Sequence, residues 1–343
     1  MAWYSTIILL LTAIAGFAAH RASVCTVRAV LEIWHARTAR MLTSFLKTAL
    51  WAALVFGTLT LFARGQSMLA ALEPRPLAIV GGFLFGFGAA CNGACSYSTL
   101  QRIADGELWG LTTLAGMVLG LLGWAGLDSA LLMTHPIRTP VAWTQLGEWT
   151  PWLLALLVVL GSLEAYRVWR THPERAPWHE RILADHYRVA SAALVMGVCA
   201  GLLYALQGGW SYTSTLRRAV ESGYRGVQGP MPIQFALFAA FFAGMLLSSM
   251  QRKTFRLRWR PTGSIWARLG GGMLMGIGAA MVPGGNDTLL LTGLPALSGW
   301  AFAAYVAVVM GVVTGLALLR RCGVRLPVVT CENGVCRERP AVT

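Results

Sequence analysis

Gly81-Gly82-Phe83-Leu84-Phe85-Gly86-Phe87-Gly88-Ala89-Ala90 returns 190 residues later as Gly271-Gly272-Met273-Leu274-Met275-Gly276-Ile277-Gly278-Ala279-Ala280. Arg28-Ala29-Val30 returns at the same offset as Arg218-Ala219-Val220. The chain is therefore duplicated. Each copy of the glycine stretch runs into a polar break, Asn92-Gly93-Ala94-Cys95-Ser96 in the first half and Pro283-Gly284-Gly285-Asn286-Asp287-Thr288 in the second. Paired halves with interrupted apolar segments at matching places point to a pathway at the interface between the repeats.

The composition supports a membrane setting. Of the 343 residues, 56% are hydrophobic and only 12% charged, and the mean hydropathy is +0.59; a soluble domain carries about 25% charged residues. Runs long enough to cross about 30 Å of hydrocarbon lie near 3–20, 43–63, 76–94, 107–127, 150–168, 189–207, 231–250, 264–282 and 297–319. The first run lacks a basic leader and is read as a span, not as a cleaved signal.

The net charge of +14 is carried mainly by loops. Arg167, Arg170, Arg175 and Arg188 lie in one, Arg252, Lys253, Arg256 and Arg258 in another, and Arg320, Arg321 and Arg325 in the tail. The positive-inside rule makes these cytoplasmic, which puts the N-terminus outside and the C-terminus in the cytoplasm. Arg217, Arg218 and Arg225 fall on the outer side and disagree with this assignment. Arginines that flank spans form no basic domain, so no nucleic-acid partner is expected.

The expected architecture is an all-α polytopic membrane protein with about nine transmembrane helices. Four short re-entrant half-helices join them, near 21–32, 92–102, 211–222 and 286–296. Non-helical backbone at membrane depth is tolerated only where protein or a water-filled cavity covers it. The chain divides into a first repeat over 1–127, a connecting span and basic linker over 128–188, a second repeat over 189–319 and a tail over 320–343. An odd number of spans between equivalent segments makes the repeat inverted.

Cys25 and Cys95 each stand where a half-helix begins. A helix N-terminus carries unsatisfied amides and partial positive charge, and a thiol adds a weak donor with a soft surface. That combination suits a small sulfur-bearing anion; the competing explanation is that buried cysteines fill space. Cys91, one turn before Cys95, lines the approach or packs, and Asn92 opens the same break. Gly284 and Gly285 permit close backbone approach. Asn286 and Asp287 are polar at membrane depth, where an acid is costly and usually functional, although Asp287 is also a natural helix cap. Tyr212 offers a pore donor or an aromatic-belt residue. Arg21 either draws anions to the inner mouth or marks topology. Cys331 and Cys336 are expected as unpaired cytoplasmic thiols, with pairing or a metal as the alternative. No ATP, dinucleotide, zinc or hydrolase motif is present, so no cofactor, metal or catalytic residue is expected.

At Arg21 to Val30, Gly81 to Leu100 and Gly270 to Ser298 the chain resembles the YeeE/YedE sulfur-transport family of bacterial inner-membrane proteins. The resemblance extends over nearly the whole chain. It implies an inner-membrane location, paired inverted halves, and thiosulfate or a related sulfur compound passed between central cysteines, with selenium compounds or another small anion as other cargoes. Cys25 and Cys95 match two of those cysteines. The third is replaced here by Gly285-Asn286-Asp287. Besides membrane lipid and the anion, a cytoplasmic sulfur carrier or sulfurtransferase would be the fitting partner. A membrane sulfurtransferase using a cysteine persulfide is the rival reading, with His20 as the base nearest in sequence.

Overall fold

The structure, a computed structural model, describes residues 2–63, 70–71, 76–131, 139–140, 147–170, 178–226, 228–259 and 264–339. Arg175 of the basic linker and the last four residues of the tail lie outside these. Among the described residues, eight helical segments are long and apolar enough to span a bilayer, and one bent pair of helices makes a ninth. Each of the nine apolar runs of the sequence is thus helical among the described residues.

In the first half, α1 (Ala2–Arg21) and α2 (Thr26–Ala36) make one broken span, α3 (Arg40–Ala63) a second, α4 (Pro76–Asn92) with α5 (Ser96–Ala104) another broken span, and α6 (Gly110–Leu131) a fourth. The connecting span is α7 (Thr150–Arg170), followed by the short α8 (Trp178–Leu183). The second half repeats the pattern with α9 (Val189–Gln207), α10 (Tyr212–Arg225), α11 (Pro232–Gln251), α12 (Ile265–Met281), α13 (Asn286–Thr288) and α14 (Gly299–Arg321). A π-helical turn over Leu289–Gly293 extends α13, and this unit bends by 42° from α12. All four anticipated half-helices are present. Those of the first half continue the line of the preceding helix as broken spans.

The breaks have a common cause. Ser23 and Gly93 adopt left-handed backbone, with φ of 51° and 70°. The next amides reach back five residues, Val24 N–H to the Ala19 carbonyl at 3.4 Å and Ala94 N–H to that of Ala89 at 3.1 Å. This closing pattern satisfies the last carbonyls of α1 and α4 and turns the chain into extended backbone at Cys25 and Cys95.

Helix pairing is reciprocal between the halves. α1 packs on α11 while α9 packs on α3, and α4 packs on α14 while α12 packs on α6. At the α4/α12 contact a Cβ on Gly81 would fall 2.9 Å from the Gly278 carbonyl oxygen, and one on Gly271 would fall 2.7 Å from that of Gly88. Hydrogen is the only side chain that permits such approach, so the repeated glycines set the spacing of the central helices. The 190-residue offset holds for the break pair Cys95 and Gly285, but the helix starts at Cys25 and Ser211 are 186 residues apart. Arg28 is therefore the third residue of α2 and Arg218 the seventh of α10, and the recurring tripeptide does not mark equivalent turns.

The tail departs from expectation. Strands β1 (Val328–Glu332) and β2 (Val335–Arg339) form an antiparallel hairpin in which Cys331 faces Cys336 across the ladder, and the two are joined in a disulfide. A tight turn with positive φ at Asn333 and Gly334 sets this register. Glu32 lies close enough to complete a three-ligand cluster with these sulfurs. Its carboxylate, however, already accepts hydrogen bonds from the Thr38 hydroxyl at 2.6 Å and from the Arg40 and Met41 amides at 2.9 and 2.8 Å.

Candidate functional site

The four half-helices begin against one another at the centre of the bundle. Cys25 caps α2 and Cys95 caps α5, both in extended backbone. The Cys95 amide points at Cys25 Sγ over 3.5 Å. Both thiols are free and each is 1% exposed. The α2 and α5 N-termini therefore converge on one pair of sulfurs.

Asn286 closes the other side of this contact. Its amide Nδ2 donates to Thr26 Oγ1 at 3.1 Å, and its Oδ1 accepts from Ser96 Oγ at 2.8 Å. Thr26 and Ser96 are the residues directly after the two cysteines, so one side chain from the second repeat ties together both thiol-bearing helix starts.

Asp287 has a role that the local pattern did not indicate. The start of α13 is capped by Gly285 with no side-chain bond. The Asp287 carboxylate instead accepts from the Thr213 amide at 3.2 Å and from the Thr213 hydroxyl. It caps α10, a different half-helix. Ser211 supplies that helix's own N-cap and shares a 2.6 Å hydrogen bond with Thr288. Gly285 N–H donates to Thr213 Oγ1 at 2.7 Å, and Gly284, at φ 146°, lies where a Cβ would meet the Thr288 hydroxyl.

The remaining expected residues divide into two groups. Tyr212 opens α10, and its buried hydroxyl faces Ser96. Asn92 braces the Cys95 turn, donating to the Ala94 carbonyl and to Thr99 Oγ1 and accepting from the Thr113 hydroxyl at 2.7 Å. Cys91 sits half-buried on the last turn of α4. Arg21 is kept away from the thiols: its guanidinium donates to Ser248, the Ala184 carbonyl and Gln251, and lies over the Phe17 ring at 4.7 Å. That is an internal brace, 1% exposed, not an open anion lure.

Four further residues belong to the site. Thr26 and Ser96 could have been found as the first residues of half-helices. Thr213 and Tyr305 carried no such signal. Tyr305, on α14, places a buried hydroxyl facing Thr26, near Cys95. Tyr97 packs edge-on to Tyr212 and Phe241 and walls the centre with aromatic rings.

Below the thiols lies a chamber of about 310 Å³ lined by Ser23, Ser98, Gln101, Arg28, Arg102, Arg252 and the tail residues Arg337 and Glu338. Gln101 clamps the turn ahead of Cys25 by donating to the Ala19 and Val24 carbonyls. At the rim, His20 Nε2–H donates to Asp105 Oδ1 at 3.2 Å and its Nδ1 meets Ser248 Oγ at 2.9 Å. Burial disfavours ionisation of Asp105, but hydrogen bonds from His20, Thr254 and Ser249 outweigh it and hold the carboxyl at about 2.

Eight or nine helices long and apolar enough to cross a bilayer, around a buried centre of thiols, hydroxyls and converging helix N-termini, define a polytopic membrane protein with an internal polar site. The chain belongs to the sulphur transport family, which it matches over residues 21–314, in agreement with the resemblance seen in its motifs. It is also similar to the thiosulfate transporter TsuA of Spirochaeta thermophila, at 25% identity over 262 residues, covering 68% of this chain and 77% of that protein.

Proposed function

We propose that this protein is an inner-membrane permease for a small sulfur-containing anion, thiosulfate or a close relative, which crosses the bundle between Cys25 and Cys95. The observation that carries the reading is the meeting of these two thiols at two helix N-termini. Backbone amides and S–H groups offer an anion many weak donors. A conducting site has to bind strongly enough to admit an ion and weakly enough to release it. The buried hydroxyls of Tyr212 and Tyr305, beside Ser96 and Thr26, are further donors for a passing oxyanion.

The reciprocal helix pairing supports an inverted repeat, and the basic loops favour the N-terminus outside and the C-terminus in the cytoplasm. Asn286, in place of a third cysteine, holds the two cysteine-capped helix starts in register. The sulfurtransferase alternative needs a base beside a thiolate. Its candidate, His20, has both ring nitrogens engaged by Asp105 and Ser248, which favours the permease. A fitting partner is a cytoplasmic sulfur carrier that consumes the anion.

The test is growth on thiosulfate as sole sulfur source in a bacterial strain lacking its own sulfate and thiosulfate uptake, together with uptake of labelled thiosulfate. Restored growth and uptake support the reading; neither, from a folded protein in the membrane, overturns it.

A further inference from the structure

The tail hairpin lies beyond residues 21–314, the stretch that matches the family, yet it is built into the protein. Its strand β1 packs on α2, the half-helix that Cys25 caps. Val329 and Cys336 are 1% and 6% exposed, within the main apolar core. Glu338 pairs with Arg28 at 2.7 Å. The turn is held by hydrogen bonds from Val189 N–H to the Gly334 carbonyl and from Arg188 Nε to that of Asn333, both 2.9 Å.

Seated this way, the hairpin supplies part of the wall of the chamber below the thiols through Cys336, Arg337 and Glu338. Arg28, Arg102, Arg252 and Arg337 face Asp105 and Glu338 there, which leaves two positive charges in excess. The buried Nε of Arg252 has no partner. Ser23 and Ser98, from the turns next to Cys25 and Cys95, complete the side nearest the thiols.

We propose that the hairpin is a redox-controlled gate. With Cys331 and Cys336 joined, it closes the chamber over a small oxyanion dianion held by these arginines; when the disulfide is reduced, it lifts and opens the inner mouth. This rests on the permease reading for the direction in which the chamber is used. A two-stranded hairpin is only marginally stable by itself. The crosslink restricts its open forms, and losing it lowers the seated population by on the order of tenfold. Disulfides on the cytoplasmic face of a membrane are usually transient, catalytic or redox-sensing, and the hairpin shares a face with the basic loops.

The chemistry is thiol–disulfide exchange. A cytoplasmic thiol enters through the adjoining cleft of about 760 Å³, which Cys331 lines, and attacks Cys331 Sγ. The Cys331–Cys336 bond breaks, a mixed disulfide forms on Cys331, and Cys336 leaves as a thiolate. A second thiol then releases Cys331. Two external thiols become one disulfide, and their electron pair and two protons end on the hairpin sulfurs.

Two measurements on the full chain in lipid test this. Hydrogen exchange over 328–338 is compared before and after treatment with a phosphine reductant, and efflux of labelled thiosulfate is timed from proteoliposomes in both states. Reduction is expected to speed hairpin exchange at least tenfold and efflux severalfold. The Cys331→Ser, Cys336→Ser double variant should match the reduced protein without reductant, and Glu338→Gln should shift exchange the same way. Protected exchange in the central helices verifies that each variant is folded. Hairpin exchange unchanged by reductant overturns the gate, as does faster exchange with unaltered efflux. A protein that moves no thiosulfate in any state overturns the permease reading instead, and the exchange result alone then decides whether the hairpin responds to redox state.

Discussion

Ser96 Oγ donates a 2.8 Å hydrogen bond to Asn286 Oδ1, and the two residues are 190 positions apart, the offset at which the glycine stretches repeat. Each is the first residue of its half-helix, α5 or α13. Equivalent positions of the two repeats thus touch each other, which places this bond where the halves are related. The Thr26 hydroxyl, on the other arm of Asn286, brings in α2.

Asn286→Ala should therefore disturb two half-helix starts together. Two buried hydroxyls lose a partner, at about 1–3 kcal/mol each if nothing replaces it. A lowered melting temperature and reduced thiosulfate uptake are expected, and Asn286→Cys should retain more uptake than Asn286→Ala. Full uptake with unchanged melting in the alanine variant would remove Asn286 from the site.

The Asp287 carboxylate should act on α10 and not on its own helix. Asp287→Ala and Thr213→Val are each expected to cost about 1–2 kcal/mol, with the double variant costing clearly less than the sum. Additive losses in that cycle would show that the two side chains are not coupled.

For the thiols, Cys25→Ala and Cys95→Ala should each abolish thiosulfate-dependent growth at normal protein level, while the exposed Cys322→Ala should be silent. Serine at both positions separates hydrogen bonding from sulfur chemistry: retained transport supports a relay of donors, whereas a strict need for cysteine favours the persulfide enzyme.

Close helix approach gives a stability prediction with an internal control. A Cβ at Gly86 would lie 1.9 Å from the Val308 carbonyl oxygen and one at Gly276 2.2 Å from that of Met117, whereas Gly123 has nothing within 4 Å. Gly86→Ala and Gly276→Ala should each destabilise by about 1–3 kcal/mol, and Gly123→Ala should be near neutral in thermal unfolding.

Two groups outside the spans set the pH dependence. Asp105 titrates at about 2 in the fold, below its unfolded value near 3.9. Its stabilising effect is therefore present above the unfolded value and lost on acidification toward 2, so the penalty of Asp105→Asn should shrink as pH falls from 5 toward 2. His186 is held below the usual imidazole value of about 6.5 by burial first and then by Arg252 and Arg337. The unfolded chain takes up that proton first. Melting temperature should fall as pH drops below about 6.5, and His186→Gln should flatten the decline.

Hydropathy and spacing alone determined nine crossings, the duplication, the four broken positions, and the placement of Cys25 and Cys95 at helix starts. These depend on chain-local physics: the length of an apolar run, glycine at close approach, and a left-handed residue that ends a helix. Only the tertiary structure decided that Asn286 bridges Thr26 and Ser96, that Asp287 caps α10, that Arg21 is an internal brace, and that Tyr305 reaches the site. The same holds for Cys331 and Cys336, whose pairing depends on a hairpin register seated against α2. A polar side chain in the sequence carries its donors and acceptors but not its partner. Inside a bundle with little water, that partner is whichever group the packing of distant helices brings within about 3 Å, and no local pattern encodes it.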